Sequence, residues 1–322
     1  MVKLEQLEAD ALRGSGVTRE DALWLYRSPA LAALSAAANR IRAARQGNGF
    51  DLCTIINGKS GRCSENCAFC AQSAHFATDA DSHSLLNAET ILAHARQSEA
   101  SGVQRFSIVT AGRSLSDSEV ATLCETVRLL RRETHLSICV SGGLLRSDQF
   151  QQLAAAGVER IHNNLETSAR HFPALCTTHT YADKVRAIRD AQRAGLDVCS
   201  GGIFGVGESV ADRIDMALSL RALGIRSVPL NILIPIAGTP LAQQPPLSAA
   251  EITRIVAVYR FILPDAVLRL AGGRRLLADN GRACFQSGAN AMISGDMLTT
   301  TGTTIETDIA TIEQEGFEVK KL

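Results

Sequence analysis

The chain has 322 residues, with 33 basic and 33 acidic side chains and no net charge. That balance gives no electrostatic case for nucleic acid or an anionic membrane as partner. A hydrophobic share of 46% supports a large core, in one big α/β domain or two smaller ones. No apolar run approaches the roughly 18 residues of a membrane span. Residues 1–10 carry alternating charge without the apolar region of a signal peptide. Nine cysteines, an odd number over a long chain, fit a reducing compartment and metal chemistry better than a disulfide framework. These features predict a cytoplasmic protein.

Residues 1–45 read as a helical extension of at least two segments, broken at Ser28-Pro29; its second segment is expected to close or flank the main domain. A regular alternation follows. Strands are expected near 51–57, 105–111, 136–142, 159–165, 197–204, 227–234, 267–271 and 291–295. Helices are expected near 87–101, 116–133, 146–156, 181–194, 209–223, 248–262 and 275–287. Ser116-x-x-Glu119 and Ser248-x-x-Glu251 match the capping box. Gly102, Gly157, Gly195 and Gly224 stand where helices should stop. Eight βα units argue for a (β/α)8 TIM-type barrel over residues 46–300, with 301–322 left as a C-terminal tail. A doubly wound open sheet is the competing architecture. In a barrel, active sites form at the C-terminal ends of the strands.

The loop after the first strand carries Cys63-Ser64-Glu65-Asn66-Cys67-Ala68-Phe69-Cys70. A structural zinc site wants four protein ligands and disulfides want an even number of cysteines. Three close thiolates instead suit three irons of a [4Fe–4S] cluster, leaving the fourth open to an outside ligand. Phe69 is placed to cover that cluster or stack on an adenine.

Strand four leads into His162-Asn163-Asn164-Leu165-Glu166, where alternation puts His162, Asn164 and Glu166 on one face. An amide and a carboxylate two residues apart suit ribose hydroxyls or a urea-like ring, or satisfy each other as a polar core layer; His162 alone reads as a packed histidine. Strand five runs into Gly201-Gly202-Ile203-Phe204-Gly205-Val206-Gly207-Glu208, whose glycines allow close backbone approach to a ligand. Cys139 and Cys199 lie on alternate strands, and Arg269, between leucines in strand seven, needs a buried anionic partner such as a second metal–sulfur cluster. Cys176 follows strand four. Cys53, Cys124 and Cys284 read as core thiols.

The C-x3-C-x2-C loop resembles that of the radical S-adenosylmethionine (SAM) superfamily. The combination of Cys139, Cys199, Arg269 and Asn164-x-Glu166 is similar to the biotin synthase family, with further likeness in Thr177-Thr178-His179, Val228-Pro229-Leu230-Asn231 and the stretch from Gly295 through Thr299 to Thr300. The resemblance implies that Cys63, Cys67 and Cys70 bind a [4Fe–4S] cluster that chelates SAM, and that the 5′-deoxyadenosyl radical abstracts hydrogen from dethiobiotin. It implies SAM or substrate contacts for Phe69, Asn164, Glu166, Gly201, Ile203, Gly205, Glu208 and Asn231. It also implies an auxiliary cluster, [2Fe–2S] or a variant, a reduced flavodoxin- or ferredoxin-type electron donor, and a homodimer.

One departure matters. The family places a second-strand cysteine in the auxiliary set, and this chain has Ser107 there. Either Ser107 ligates weakly, or Cys176 replaces it, or the cluster differs in nuclearity; a changed cluster on Cys139, Cys199 and Cys176 is favoured. Two other readings stay open: a related radical SAM enzyme of the hydrogenase-maturation or rearrangement type, and a non-catalytic iron–sulfur carrier or zinc scaffold.

Overall fold

The computed structural model describes residues 2–298 and 302–322; Thr299 and Thr300 of the threonine-rich stretch lie outside the described residues. Three helices come first: α1 (Val2–Leu12), α2 (Arg19–Arg27) and α3 (Leu31–Gln46). Thr18 starts α2 by accepting a hydrogen bond from the Asp21 N–H. The third flanks the main body by packing against α10 (Ala249–Ile262).

The barrel staves are β1 (Gly49–Lys59), β2 (Arg105–Thr110), β3 (Ser137–Ser141), β4 (Arg160–His162), β5 (Asp197–Cys199), β6 (Gly202–Phe204), β7 (Ser227–Ile232), β8 (Val267–Leu270) and β9 (Ala291–Ile293). They pair in parallel in the order β1-β2-β3-β4-β5-β7-β8-β9, and β9 returns to β1 through Cys53↔Ile293. The sheet is therefore a closed barrel of eight staves, and the open-sheet alternative is excluded. The predicted strand 197–204 is split into β5 and β6, which both pair with β7. Gly201 sits at the break because a Cβ there would lie 1.9 Å from the Pro229 carbonyl oxygen.

Between the strands run α4 (Ala88–Ala100), α5 (Asp117–Glu133), α6 (Ser147–Ala156), α7 (Phe172–Leu175), α8 (Tyr181–Arg193), α9 (Val210–Ala222) and α10. Outward-facing strand residues such as Phe106, Ile108, Ile138 and Val140 are fully buried beneath them, so each βα unit covers the next stretch of wall. The Ser116–Glu119 capping box is complete. At α10 only half the expected box forms: Ser248 accepts from the Glu251 N–H. The Glu251 carboxylate goes instead to Tyr26 and Arg213, each at 2.5 Å. The four helix-ending glycines all take positive φ, which spares them the Cβ penalty.

The single helix expected over 275–287 is not formed. A 3-10 turn (Arg274–Leu276) and the short α11 (Arg282–Phe285) replace it, broken by Asn280 and Gly281 at φ 53° and 92°. Within the expected tail, α12 (Ile305–Gln314) and β10 (Glu318–Val319) pack onto the barrel foot. Asp308 pairs with buried Arg274 at 2.6 and 2.9 Å, Phe317 stacks edge-on against Phe50, and β10 lies beside the start of β1. Among the described residues no helix is long and apolar enough to cross a membrane.

Candidate active site

Beyond β1 the chain turns through Gly61 and Arg62, both at positive φ, into the cysteine loop. The Cys63 N–H donates to Gln72 O (2.9 Å), Ala74 N–H to Cys63 O (2.8 Å) and Cys70 N–H to Cys67 O (2.9 Å). This folds the three thiols toward the mouth of a cavity of about 420 Å³ in the barrel axis. All nine cysteines are free thiols.

The loop is clamped from the far side by 176–179. Asn66 Oδ1 accepts from the Thr177 and Thr178 N–H groups. Buried Glu65 receives Thr178 Oγ1 (2.9 Å), Arg113 Nη1 (3.3 Å) and His179 Nδ1 (2.5 Å). Burial alone would raise the Glu65 pKa, but His179, Thr178 and Arg113 bring it below its ordinary value. Cys176 belongs to this clamp: its sulfur lies 3.2 Å from His179 Nδ1 and hydrogen-bonds Cys67. That bond, with burial, raises the Cys67 pKa, and the same bond lowers Cys176 to about 5. Cys176 is absent from the lining of the cavity that holds Cys139 and Cys199, so the structure does not bring it to the auxiliary set.

Phe69, Ile203, Asn164, Glu166 and Asn231 all line the cavity. Phe69 and Ile203 join Leu175, Val206 and Leu233 in a small apolar cluster beside the thiols. Asn164 accepts from the Gly201 N–H (3.0 Å) and donates to Glu166 (3.3 Å). Glu166 takes φ 69°, a left-handed conformation that costs on the order of 1 kcal/mol and is tolerated where surroundings enforce it. Its N–H and carbonyl are both held, by Gly201 O and the Ile203 N–H. Burial raises the Glu166 pKa, against the pull of Lys184 and His162. Asn231 donates to Gly202 O and accepts from the Gly272 N–H.

The glycine-rich turn is packed tightly within the fold. At Gly201 and Gly202 the close approach is to neighbouring backbone, Pro229 O and Glu166 O. Glu208 is taken up within the turn, accepting from the Gly205 and Val206 N–H groups and pairing with Arg213 at 2.6 Å. These residues shape the wall, and Gly201, Gly205 and Glu208 are not part of the cavity lining.

Deeper in the cavity the structure assembles Ser107, Cys139, Cys199 and Arg269. Ser107 pairs with Cys139 across β2 and β3 and its hydroxyl hydrogen-bonds the Cys139 sulfur. His162 stands opposite Cys199 in the β4–β5 register and also lines the cavity. Although burial opposes it, the His162 hydrogen bond, with Arg269 and Arg160, lowers Cys199 to about 6. Arg269 does have a buried anionic partner: Asp51, at 2.6 Å. Burial would raise the Asp51 pKa, yet Arg269, Arg105 and the Leu322 N–H hold it down at about 2.

Sequence reasoning missed Arg105 and Arg160. Both line the cavity, both are buried, and the Nε of each has no hydrogen-bond partner. Three buried guanidiniums thus face one buried carboxylate, since Arg160's partner Asp197 is 75% exposed. The layer has excess positive charge and orphaned donors, the environment an anionic iron–sulfur cluster with acceptor sulfides fits. The signal was present: Arg105, Ser107 and Val109 occupy alternate positions on β2, and all three line the cavity.

Comparison with known proteins follows this division of the chain. Residues 59–220 match the radical SAM superfamily, and 229–318 match the Biotin and Thiamin Synthesis associated domain. Biotin synthase 2 of Corynebacterium diphtheriae is 53% identical over 98% of this chain and 96% of its own length. Biotin synthase of Akkermansia muciniphila is 53% identical over 96% of both. The chain belongs to the biotin synthase family. It is a radical SAM enzyme, and membership implies a [4Fe–4S] cluster and SAM. Among solved structures, methylornithine synthase (TM-score 0.85, 20% identity, 98% of this chain and 97% of that one) shares the fold. So does HydG, a maturase of the [FeFe]-hydrogenase (0.83, 15%, 98% and 74%). Those two likenesses speak to the barrel alone.

Proposed function

We propose that this chain inserts one sulfur atom into dethiobiotin to make biotin, drawing the sulfur from an auxiliary iron–sulfur cluster. The carrying observation is the arrangement of one cavity: three loop thiols at its mouth, and in its depth the Cys139 and Cys199 thiols among three arginines. Cys63, Cys67 and Cys70 hold the [4Fe–4S] cluster, which with SAM supplies the one-electron cleavage that makes hydrogen abstraction from unactivated carbon possible.

The residues of the chain position and enclose. Phe69 and Ile203 flank the adenine with the apolar cluster behind them, which keeps water from the reacting atoms. Asn164 and Glu166 present a fixed amide–carboxylate pair to ribose hydroxyls and substrate. Asn231 has a second amide N–H, besides the one given to Gly202, for the ureido oxygen. Cys139 and Cys199 hold the auxiliary cluster beside Arg269, with Ser107 next to Cys139. A reduced flavodoxin or ferredoxin supplies the electron, and the working unit is a homodimer.

Iron and sulfide content after anaerobic reconstitution, with Mössbauer spectra of wild type and Cys139→Ala, tests this reading. Two distinct clusters, one lost in the variant, support it. A single [4Fe–4S] cluster unchanged by the substitution would mean a radical SAM enzyme that inserts no sulfur.

A further inference from the structure

The deep layer contains a third thiol that the auxiliary set above does not use. Cys53 on β1 is buried, yet it lies outside the main hydrophobic core that takes in Cys124 and Cys284. It lines the same cavity as Cys139 and Cys199. Its cross-strand partners are Arg105 on β2 and Ile293 on β9, and both of these line the cavity as well. Cys53 is close enough to Arg269, Cys139 and Arg105 to feel their charges. Among the described residues its thiol makes only a weak hydrogen bond, to Thr54 O at 3.4 Å.

Ser107, meanwhile, is otherwise engaged. Its hydroxyl donates to the Cys139 sulfur, the place of an outer hydrogen bond that tunes a ligand. An alcohol oxygen is also a harder, poorer partner for iron–sulfur chemistry than a thiolate. Arg269 spends both terminal nitrogens on Asp51 and on the Asp51 and Met292 carbonyls.

We infer that Cys53 is the third protein thiolate of the auxiliary cluster, alongside Cys139 and Cys199, with Ser107 a hydrogen-bond donor to Cys139. The inference rests on the presence of an auxiliary cluster, as proposed above. The missing second-strand thiolate is thus replaced from the adjacent first strand, within the same barrel interior. On coordination the thiol proton of Cys53 is exchanged for iron and leaves to water through the open mouth. Arg105 and Arg160, with their unpartnered Nε groups, donate to the cluster sulfides, and the excess positive charge of the layer offsets the added thiolate.

The test reconstitutes wild type, Cys53→Ala, Ser107→Ala and Cys139→Ala anaerobically, then measures iron, sulfide and Mössbauer spectra. Cys53→Ala is expected to lose the auxiliary iron and sulfide as fully as Cys139→Ala, while Ser107→Ala retains both. Reductive SAM cleavage to 5′-deoxyadenosine persisting in Cys53→Ala shows that the barrel and first cluster are intact. The near-isosteric Cys53→Ser guards against a folding failure: its sulfur-to-iron charge-transfer bands should differ from wild type. Full auxiliary iron in Cys53→Ala, or wild-type bands in Cys53→Ser, overturns the assignment, as does loss in Ser107→Ala with Cys53→Ala intact. If Cys139→Ala also keeps all its iron, it is the auxiliary-cluster reading itself that has failed.

Discussion

Asp51→Asn tests the charge layer at the cavity floor. Asp51 is 1% exposed and accepts from Arg269 at 2.6 Å, from Arg105 at 3.4 Å and from the Leu322 N–H at 3.0 Å. Removing one partner of a buried pair leaves uncompensated charge, at a cost of about 3–5 kcal/mol. With an unfolding entropy near 2.1 cal/mol/K per residue, that corresponds to a Tm lower by roughly 4–8 °C. The pH dependence follows the same pair. Asp51 is held at about 2, below its ordinary 3.8. Its contribution, on the order of 2 kcal/mol, is therefore complete above pH ~4 and lost as pH falls toward 2. Anaerobic thermal unfolding followed by circular dichroism, at pH 7 and across pH 5 to 3, reads both effects. The variant should melt earlier at pH 7 and show a shallower acid slope, and iron-depleted protein should suffer more than reconstituted protein. A Tm within 1 °C of wild type and an unchanged acid slope would refute the reasoning.

Three further outcomes follow. Cys176→Ala should keep the full auxiliary iron and sulfide, because its thiol faces Cys67 and His179; loss of that iron would place it in the deep layer after all. Gly201→Ala should destabilise the protein by several kcal/mol, on the order of a severe overpacking, since its Cβ would overlap the Pro229 oxygen; a wild-type melting temperature would contradict the tight contact between staves. Phe69→Ala removes an aromatic wall worth roughly 1.5–3 kcal/mol if fully buried by ligand. It should raise the SAM Kd about tenfold or more by equilibrium dialysis; an unchanged Kd would remove Phe69 from the adenine site.

The fold was largely legible because two simple signals coincide along the chain. Runs such as Phe106–Val109 and Ile138–Val140 read as strands, and Gly102, Gly157, Gly195 and Gly224 mark the helix ends that precede four of them. Where a residue had two possible partners, local pattern did not decide. Ser248-x-x-Glu251 looks like a capping box, but Glu251 is drawn away by Arg213 and Tyr26 from remote segments. The expected helix at 275–287 fails on positive-φ turns at Asn280 and Gly281.

The site shows the same division. The cysteine loop is local in sequence and its spacing carries its chemistry. The deep layer is assembled from six strands, β1 to β5 and β8, so its composition depends on barrel closure. Cys53 looked like a core thiol because its neighbours Leu52 and Thr54 say nothing about β9, β2 or the cavity between them. Arg269 signalled a buried anion correctly, but the nearest one is Asp51, 218 positions away. Cys176, chosen for its place after strand four, follows its own loop out to the cysteine clamp.

The central claim is most directly tested by reconstituting the protein anaerobically with isotopically heavy sulfide, removing free sulfide, and supplying SAM, reductant and dethiobiotin. Mass spectrometry of the product should find biotin carrying the heavy isotope, with matching loss of sulfide from the protein. SAM cleaved to 5′-deoxyadenosine with no biotin formed, or biotin formed without the label, would contradict sulfur insertion from a cluster held in this barrel.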